Sequence, residues 1–239
     1  MRPVDKGICP YESIERYQEA EPYLESRIGA YCSFCEMRVN NALAVEHKES
    51  KNSGGALTDW NNLLLACTYC NSRKLEKIKK NELGKWIWPD QHNTFLAFSY
   101  TDAVPKVNEQ YLQSVSGEVL QRAKAIFEGL ALDYRPNSES GNQGKDRYRD
   151  KRWNKRFEAF GIAEEARKSW DKHKDTEFKD DQLANIVNQA KGYGFFSVWM
   201  MVFEEEKEVR KALIEAFPGT ERNCFDDMTR PVRRENSEL

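Results

Sequence analysis

The chain has 239 residues, a length that suits one large domain or two small ones. Apolar residues make up 39% and charged residues 32%, with a formal net charge of −2, so the chain is no polycation and any binding of nucleic acid must rely on local basic patches. No apolar run approaches the roughly eighteen residues of a membrane span, and the start MRPVDKGICPYES lacks the apolar core of a secretory signal, so we expect a cytoplasmic protein without a membrane partner.

The N-terminal segment is predicted to be helical after an irregular start. Residues 1–10 show no regular pattern, and apolar positions between 13 and 28 predict one helix bent at Pro22 or two short helices. Arg27 and Gly29 are typical of a helix end.

The next segment has the predicted order strand, loop, strand, helix. These elements are expected at residues 42–45 (strand), 51–58 (loop), 63–66 (strand) and 70–83 (basic helix). The first strand would deliver Glu46 and His47 at its end.

The remainder is predicted to be mainly helical. Short strands or extended chain are expected at residues 86–105, and helices at 117–130, 148–160, 162–174, 178–190 and, as the best-defined amphipathic helix, 195–217. The polar tail from Glu221 is expected to order only on a partner. The predicted divisions are an N-terminal segment 1–29, a core 30–134, a linker 135–145 with the sequence RPNSESGNQGK, and a helical C-terminal region 146–239.

Cysteine spacing predicts a metal site. In a reducing compartment six cysteines favour metal ligands or free thiols over disulfides. Cys32/Cys35 and Cys67/Cys70 form two C-x-x-C pairs, and tetrahedral zinc takes four such thiolates. Because the protein would fill all four positions, the zinc is predicted to be structural. The alternative is two unrelated turns that carry free thiols.

Five sequence elements fall in order here: the first C-x-x-C, the acidic-His pair Glu46-His47, W-x-N-L with Asn62, the second C-x-x-C, and N-x-x-K from Asn71 to Lys74. This order resembles the HNH, or ββα-metal, nuclease motif. The resemblance implies that Asn71 takes the position often filled by the motif's last histidine. It also implies that Asn62 pins the loop and orients His47 by hydrogen bonding.

The residue types suit phosphodiester hydrolysis, which needs an activated water and neutralised charge on the phosphate. The pKa of an imidazole lies near working pH, so His47 is the candidate general base. Glu46 and Asn71 offer oxygen ligands to Mg²⁺ or Mn²⁺, whose shell water and phosphate would complete. Taken singly, each residue has a simpler explanation: a histidine at a strand end is usually structural, Asn71 caps helices, and Asn62 suits a turn.

Basic residues after the second cysteine pair are candidate contacts to nucleic acid. They are Arg73, Lys74 and Lys77, with Lys74 acting on a phosphate as a point charge. Residues 145–156, KDRYRDKRWNKR, interleave basic and aromatic side chains, which fits either nucleic-acid binding or a solvated helix face with its aromatics in the core. His92 is expected to be a loop residue, with a supporting role at the site as the alternative.

A wider resemblance extends beyond the motif. The segments MRPV, CSFCE…LAVEHKESK…DWNNLLLACTYCNSRK, WPDQHNTFLAFSY and GFFSVWMMVF…AFPGT are similar to PtuB, the HNH subunit of Septu-type anti-phage defence systems, and especially to its retron-associated branch. This resemblance implies an ABC-type ATPase subunit, PtuA, as partner. In the retron branch it also implies a reverse transcriptase and its DNA–RNA hybrid product. The candidate docking surfaces are the aromatic helix 195–217 and the basic tail.

These observations predict an α+β protein, mostly helical, with a ββα-metal nuclease core, a four-cysteine zinc site and a helical C-terminal part. The expected activity is metal-dependent endonucleolytic cleavage, with DNA as the default substrate and RNA, including tRNA, as the alternative. One rival is a non-catalytic zinc-stapled adaptor that binds an ATPase partner or nucleic acid. A second rival, a sequence-specific restriction enzyme, would need a recognition domain that the sequence does not reveal.

Overall fold

The structure, a computed structural model, describes residues 1–41, 43–135 and 150–239. Ala42 of the first predicted strand, most of the predicted linker and the start of the helix predicted at 148–160 lie outside these residues. About half of the chain is helical, with small antiparallel sheets, as the predicted fold class requires. Among the described residues, no helix is both long and apolar enough to span a bilayer.

A hairpin followed by a helix forms the part of the fold that carries the predicted motif. Strand β1 (Ala44–His47) pairs antiparallel with β2 (Leu63–Ala66), so that His47 lies opposite Leu63. The β2 side chains are all buried, because its apolar residues are covered on both faces. Helix α2 (Thr68–Lys74) follows directly. The predicted order is confirmed, but the helix predicted at 70–83 is wrong in extent, since α2 ends at Lys74.

The N-terminal segment packs against this hairpin. A 3₁₀ turn (Tyr17–Ala20) leads into α1 (Glu21–Ile28), which confirms the alternative of two short helices. Pro22 lies in the first turn of α1, where the missing N–H has no intrahelical partner to lose. Leu24 and Ile28 are buried in one hydrophobic cluster with apolar residues of the hairpin, so α1 packs directly against the hairpin.

The middle of the chain is built from short elements. They are a 3₁₀ turn (Leu83–Lys85), α3 (Thr94–Ala97), β3 (Phe98–Ser99), β4 (Lys106–Val107), α4 (Glu109–Val115) and α5 (Gly117–Gly129). The helix predicted at 117–130 is confirmed as α5, whose Ser116 side chain caps the first turn. Helices α3 and α4 were not predicted, because four to seven residues give too little periodicity to read.

The C-terminal region differs from its prediction in two places. Helix α6 (Arg152–His173) runs without a break through Gly161, where two helices were expected. The single helix predicted at 195–217 is two helices, α8 (Phe196–Val202) and α9 (Lys207–Ala216), after α7 (Lys179–Tyr193). The chain turns at Glu204–Glu206 because the Glu206 carboxylate accepts hydrogen bonds from Trp170 and Lys174 at the end of α6.

The two candidate docking surfaces differ in exposure: the predicted aromatic helix is largely buried, whereas Arg230 and Arg233 of the basic tail are exposed. The aromatic residues of α8, Phe196 and Trp199, lie in a hydrophobic core together with Phe217, which directly follows α9. The tail is packed rather than free: Phe225 and Leu239 are buried, and Arg234 donates to the carbonyls of Val4 and Pro89. The apolar spacing of the tail is too sparse to show this, since part of its packing consists of hydrogen bonds to backbone far away in sequence, at Pro3, Val4 and Pro89.

The largest core joins regions that the predicted linker would separate. It contains the four predicted metal-binding cysteines, Trp88, Phe195 and Leu239. The domain boundaries at 29, 134 and 146 stay predictions.

Candidate active site and metal centre

Four cysteine sulfurs meet in the core. The Sγ atoms of Cys32, Cys35, Cys67 and Cys70 all lie within 4.8 Å of one another, and the four residues are buried. The Sγ atoms of Cys35 and Cys67 are 3.7 Å apart. Tetrahedral zinc with bonds of about 2.3 Å places its sulfurs about 3.8 Å apart, so the cluster fits a zinc ion. The four-cysteine site is confirmed; zinc as its metal stays a prediction.

Local hydrogen bonds shape this cluster. The turn that carries Cys32 and Cys35 is hydrogen-bonded to β2, because Ser33 N–H donates to the Leu65 carbonyl at 2.8 Å. Cys67 caps α2, and its sulfur accepts a hydrogen bond from the Cys70 amide at 3.5 Å. The sequence folds this way because a helix N-terminus offers unpaired N–H groups to an anionic sulfur.

The electrostatics of the cluster favour a cation. Burial raises the pKa of the Cys32 thiol, but hydrogen bonds from the other three cysteines outweigh it and hold that pKa well below its usual value. Burial and the Cys32 sulfur raise the pKa of Cys35 well above the usual value, and hydrogen bonding to Cys32 does the same for Cys67. Several thiolates so close together in a buried site therefore need the compensating charge of a metal ion.

A cavity of about 480 Å³ is lined by the predicted general base His47 and the predicted metal ligands Glu46 and Asn71, but not by Asn62. Glu46 and His47 reach it from the end of β1, and Asn71 reaches it from α2, one residue after Cys70. The Glu46 carboxylate and the Asn71 amide oxygen are donors that suit a hard divalent cation, with water and phosphate completing its shell. The three residues that the motif resemblance implied therefore line the same cavity.

His47 is held in one tautomer by its loop. Its Nε2 lies 2.9 Å from the Leu57 carbonyl oxygen, which can only accept, so the hydrogen is on Nε2 and Nδ1 carries the lone pair. The edge of the imidazole faces Tyr17, with ring centroids 4.7 Å apart. Burial lowers the pKa of His47, and the Leu57 hydrogen bond partly opposes this. A neutral imidazole with a free Nδ1 is the form that a general base needs.

Asn62 fixes the loop between the strands and not the imidazole itself. Its Oδ1 accepts from the Glu49 N–H at 2.8 Å, and its Nδ2 donates to the carbonyls of Glu49 and Ala56 at 3.1 and 2.8 Å. Asn62 thus pins the loop as predicted, and its hydrogen bonds go to the loop backbone rather than to His47. Asn62 acts at one remove, because Ala56 directly precedes Leu57, whose carbonyl orients the ring.

The candidate phosphate contacts are placed differently from the prediction. Lys74 is fully buried, with its Nζ 3.0 Å from Glu46 Oε1 in an ion pair that lacks hydrogen-bond alignment. Burial lowers the pKa of Lys74, and Glu46 opposes this. Arg73 pairs with Asp150 at 3.3 Å and is 27% exposed. Lys77 is exposed in the loop after α2. In this structure Lys74 neutralises Glu46, so it cannot meet a phosphate as predicted.

The basic stretch at 145–156 is described from residue 150 onwards. Arg152 and Arg156 point into the core and are 1% and 2% exposed. Lys155 pairs with Glu158, and the Trp153 ring stacks on Phe157 with centroids 5.4 Å apart. The described arginines are thus structural, and no continuous cationic face is formed by this part of α6.

Sequence reasoning missed other residues of the cavity wall. Lys51 Nζ donates to the Tyr17 hydroxyl at 2.9 Å and lies 4.6 Å from that ring's centroid, and both residues line the cavity. Asn52 and Glu76, which are hydrogen-bonded to each other at 2.9 Å, also line it. The sequence gives a weak indication for Lys51, because this residue lies only four positions after His47. It gives no indication for Tyr17, because tertiary packing alone brings this residue to the cavity.

Comparison with known proteins agrees with this geometry. The family model for HNH endonuclease matches residues 31–77, which include both cysteine pairs and the three residues that converge on the cavity. No curated protein and no solved structure matches the chain. Residues 31–77 are therefore an HNH endonuclease domain, and the chain is a nuclease, a hydrolase that acts on phosphodiester bonds.

Proposed function

We propose that the chain is a metal-dependent endonuclease whose active site is the cavity at the end of β1. The observation that supports this proposal is that Glu46, His47 and Asn71, all within the matched HNH segment, line one cavity. In this assignment His47 is the general base, and Mg²⁺ or Mn²⁺ would be held by Asn71 and by Glu46, whose Oε1 also pairs with Lys74. Asn62 is a positioning residue.

The chemistry begins at the free nitrogen of the imidazole. His47 Nδ1 takes a proton from a water molecule as the water oxygen attacks phosphorus, and the bond from phosphorus to the leaving oxygen breaks. The Leu57 carbonyl keeps the opposite ring nitrogen protonated and stabilises the imidazolium that forms. The bound cation would supply Lewis-acid stabilisation of the charge on the phosphate and leaving oxygen.

DNA is the default substrate and RNA, including tRNA, is the alternative, since none of the cavity residues distinguishes a 2′-hydroxyl by chemistry. A non-catalytic adaptor is the rival from another class. It is disfavoured because an adaptor has no physical need for a buried, tautomer-fixed histidine beside two oxygen ligands.

The test is cleavage of purified DNA and RNA by wild type and by His47→Ala, with Mg²⁺, Mn²⁺ or chelator. We expect His47→Ala to lower cleavage by at least about 100-fold while the zinc content and the melting temperature stay near wild type. His173→Ala is the matched control, because that histidine lies on α6 away from the cavity and should leave cleavage unchanged. Full activity in His47→Ala would show that another residue is the general base. A wild-type protein that cleaves neither DNA nor RNA would favour the adaptor.

We also propose that this nuclease is the effector of a cytoplasmic Septu-type defence complex with the ATPase PtuA, joined in the retron branch by a reverse transcriptase and its DNA–RNA hybrid. The support is the sequence resemblance outside the HNH segment. Co-expression of the tagged chain with the ATPase encoded beside it tests this. A stable complex is expected, and two proteins that elute separately at high concentration would contradict it.

A further inference from the structure

A buried arginine from the C-terminal region touches the metal centre. Arg152 begins α6 and is 1% exposed. Its Nη1 donates to the Sγ of Cys70 at 3.5 Å. An arginine keeps its charge when buried, so its surroundings must offer compensating anions.

The remaining donors of Arg152 hold the guanidinium in one orientation. Nη1 and Nη2 donate to the carbonyls of Leu130 and Ala131 at 2.9 and 3.1 Å. Nε and Nη2 donate to the two carboxylate oxygens of Asp150 at 3.0 and 2.7 Å. Because Asp150 and the two carbonyls hold the guanidinium of Arg152, it has little freedom to move away from the Cys70 sulfur.

Asp150 extends the contact to α2. It is 3% exposed at the side chain and pairs with Arg73 at 3.3 Å. Arg73 lies on the same helix as Cys70 and Asn71. The Asp150–Arg152 pair thus touches α2 at two points, the sulfur of Cys70 and the guanidinium of Arg73.

The charge of the site gives this contact a role. A divalent ion with four thiolates carries two excess negative charges in a buried position. The Cys70 amide already donates to Cys67, whereas Arg152 brings a full positive charge to Cys70. Groups that donate to ligand atoms stabilise the ligands in their metal-binding form.

We propose that Arg152 completes the metal centre: it contacts the Cys70 thiolate and not the metal, offsets the excess negative charge and slows release of the ion, while Asp150 holds it in place. This inference rests on the predicted metal at the four cysteines and not on the nuclease chemistry. It makes the C-terminal region part of the metal site.

The test compares metal release from full-length wild type, Arg152→Met and Arg152→Lys. Zinc transfer to an excess of a colorimetric chelator is timed, and we expect it to be at least about tenfold faster in Arg152→Met. Arg152→Lys keeps a positive charge beside Asp150, so this variant should fold. It loses the paired donors of the guanidinium, so it should release zinc at an intermediate rate. Arg210→Met is the matched control, since Arg210 is another buried arginine, bonded to the carbonyls of Glu204 and Thr229.

A spectroscopic readout separates this role from a general loss of stability. With Co²⁺ in place of zinc, removal of a donor from a thiolate makes that sulfur a better electron donor, so the thiolate-to-cobalt charge-transfer band should move to lower energy. The band should move in both Arg152 variants and not in Arg210→Met. Unchanged release and an unchanged band in Arg152→Lys would overturn the proposal, as would wild type that binds no metal.

Discussion

At the scale of single residues, positive charge on the substrate side of the active site comes from an unexpected lysine. Lys74 is buried against Glu46, and Arg73 is engaged by Asp150. Among the described residues that line the His47 cavity, Lys51 is the one lysine. Its exposed position beside Tyr17 places an ammonium where a phosphate would enter.

Lys51→Met is therefore expected to weaken substrate binding while the protein stays folded. The KM for cleavage should rise by about tenfold, and the slope of log binding constant against log salt should fall by about one, as for loss of one phosphate contact. Lys79→Met is the control, because Lys79 is exposed after α2 and does not line the cavity. Equal effects of the two substitutions would show that only overall charge matters.

His92 is a buried residue whose charge opposes folding. Arg122 Nη2 lies 2.9 Å from its Nε2, and its Nδ1 accepts from the Trp88 N–H at 3.0 Å. Burial and then the Arg122 charge lower the pKa of His92 to about 4. It is thus a structural residue of the core edge and remote from the cavity that holds His47.

The pH dependence of stability follows from this shift. In the unfolded chain a histidine titrates near its ordinary 6.5, so between pH 6.5 and about 4 the unfolded state binds the extra proton. The free energy of unfolding should fall as the pH drops through this window, by up to about 3 kcal/mol from this residue.

Urea denaturation at a series of pH values checks the His92 prediction. His92→Gln removes the titration, so the difference in unfolding free energy between wild type and variant should shrink as the pH falls from 7 to 4. Carboxylates that titrate in the same pH range affect wild type and variant equally, so their contribution cancels in the difference between the two unfolding free energies. A difference that is constant with pH would mean that the pKa of His92 is the same in the folded and the unfolded protein, which would contradict the shift.

At the scale of elements, the end of α2 shows what local sequence leaves undetermined. Leu75, which directly follows the helix, has φ 43° and ψ −125°, a conformation that favours glycine. Leucine is a good helix former, so the pattern at 70–83 predicts that the helix continues. It stops because Lys74 is drawn onto Glu46 and because Ile78 is buried, with its carbonyl accepting from Ser50 N–H at 2.7 Å.

Leu75→Gly should therefore stabilise the protein. Relief of a strained φ is worth on the order of 1–3 kcal/mol, and the extra freedom of glycine in the unfolded chain removes up to about 1 kcal/mol. The side chain is 64% exposed, so little burial is lost. We expect a net gain of about 1 kcal/mol in chemical denaturation. Leu75→Ala, which keeps the Cβ and its strain, should show no gain, and a glycine variant less stable than the alanine variant would refute the explanation.

The difference between local sequence pattern and tertiary contact explains how much could be predicted from the sequence. Cysteine pairs, Glu46-His47 and Asn71 are recognisable because metal chemistry needs those residue types at fixed spacings, and the site's core was predictable from them. The break between α8 and α9 and the burial of Lys74 were not, because each depends on a partner far away in sequence, Trp170 for the turn and Glu46 for the lysine. Periodicity reports which face of a helix is apolar, not what lies against it.

At the scale of the whole molecule, the metal centre lies where the two halves of the chain meet. Glu36, directly after the first cysteine pair, accepts hydrogen bonds from Phe195 N–H through its carbonyl and from Ser197 N–H through its carboxylate, each at 2.9 Å. Arg152 contacts the second pair. The cysteines also share a hydrophobic core with Trp88 and Phe195. Such shared burial couples the stability of the two halves.

We therefore expect one cooperative unfolding transition that depends on the metal. Helix circular dichroism and tryptophan fluorescence should report the same midpoint, since the core spans the predicted linker. Removal of zinc by chelator, or Cys70→Ser, should lower the melting temperature by on the order of 10 °C or more, because several kcal/mol of metal binding are folding free energy and about 1 kcal/mol shifts a chain of this size by roughly 2–4 °C. Cys9→Ser, at an exposed cysteine outside the cluster, is the control and should have no effect. If the C-terminal helices instead melted in a separate transition that zinc does not move, residues 146–239 would be an independent domain and the contacts of Arg152 and Glu36 would be too weak to join it to the nuclease.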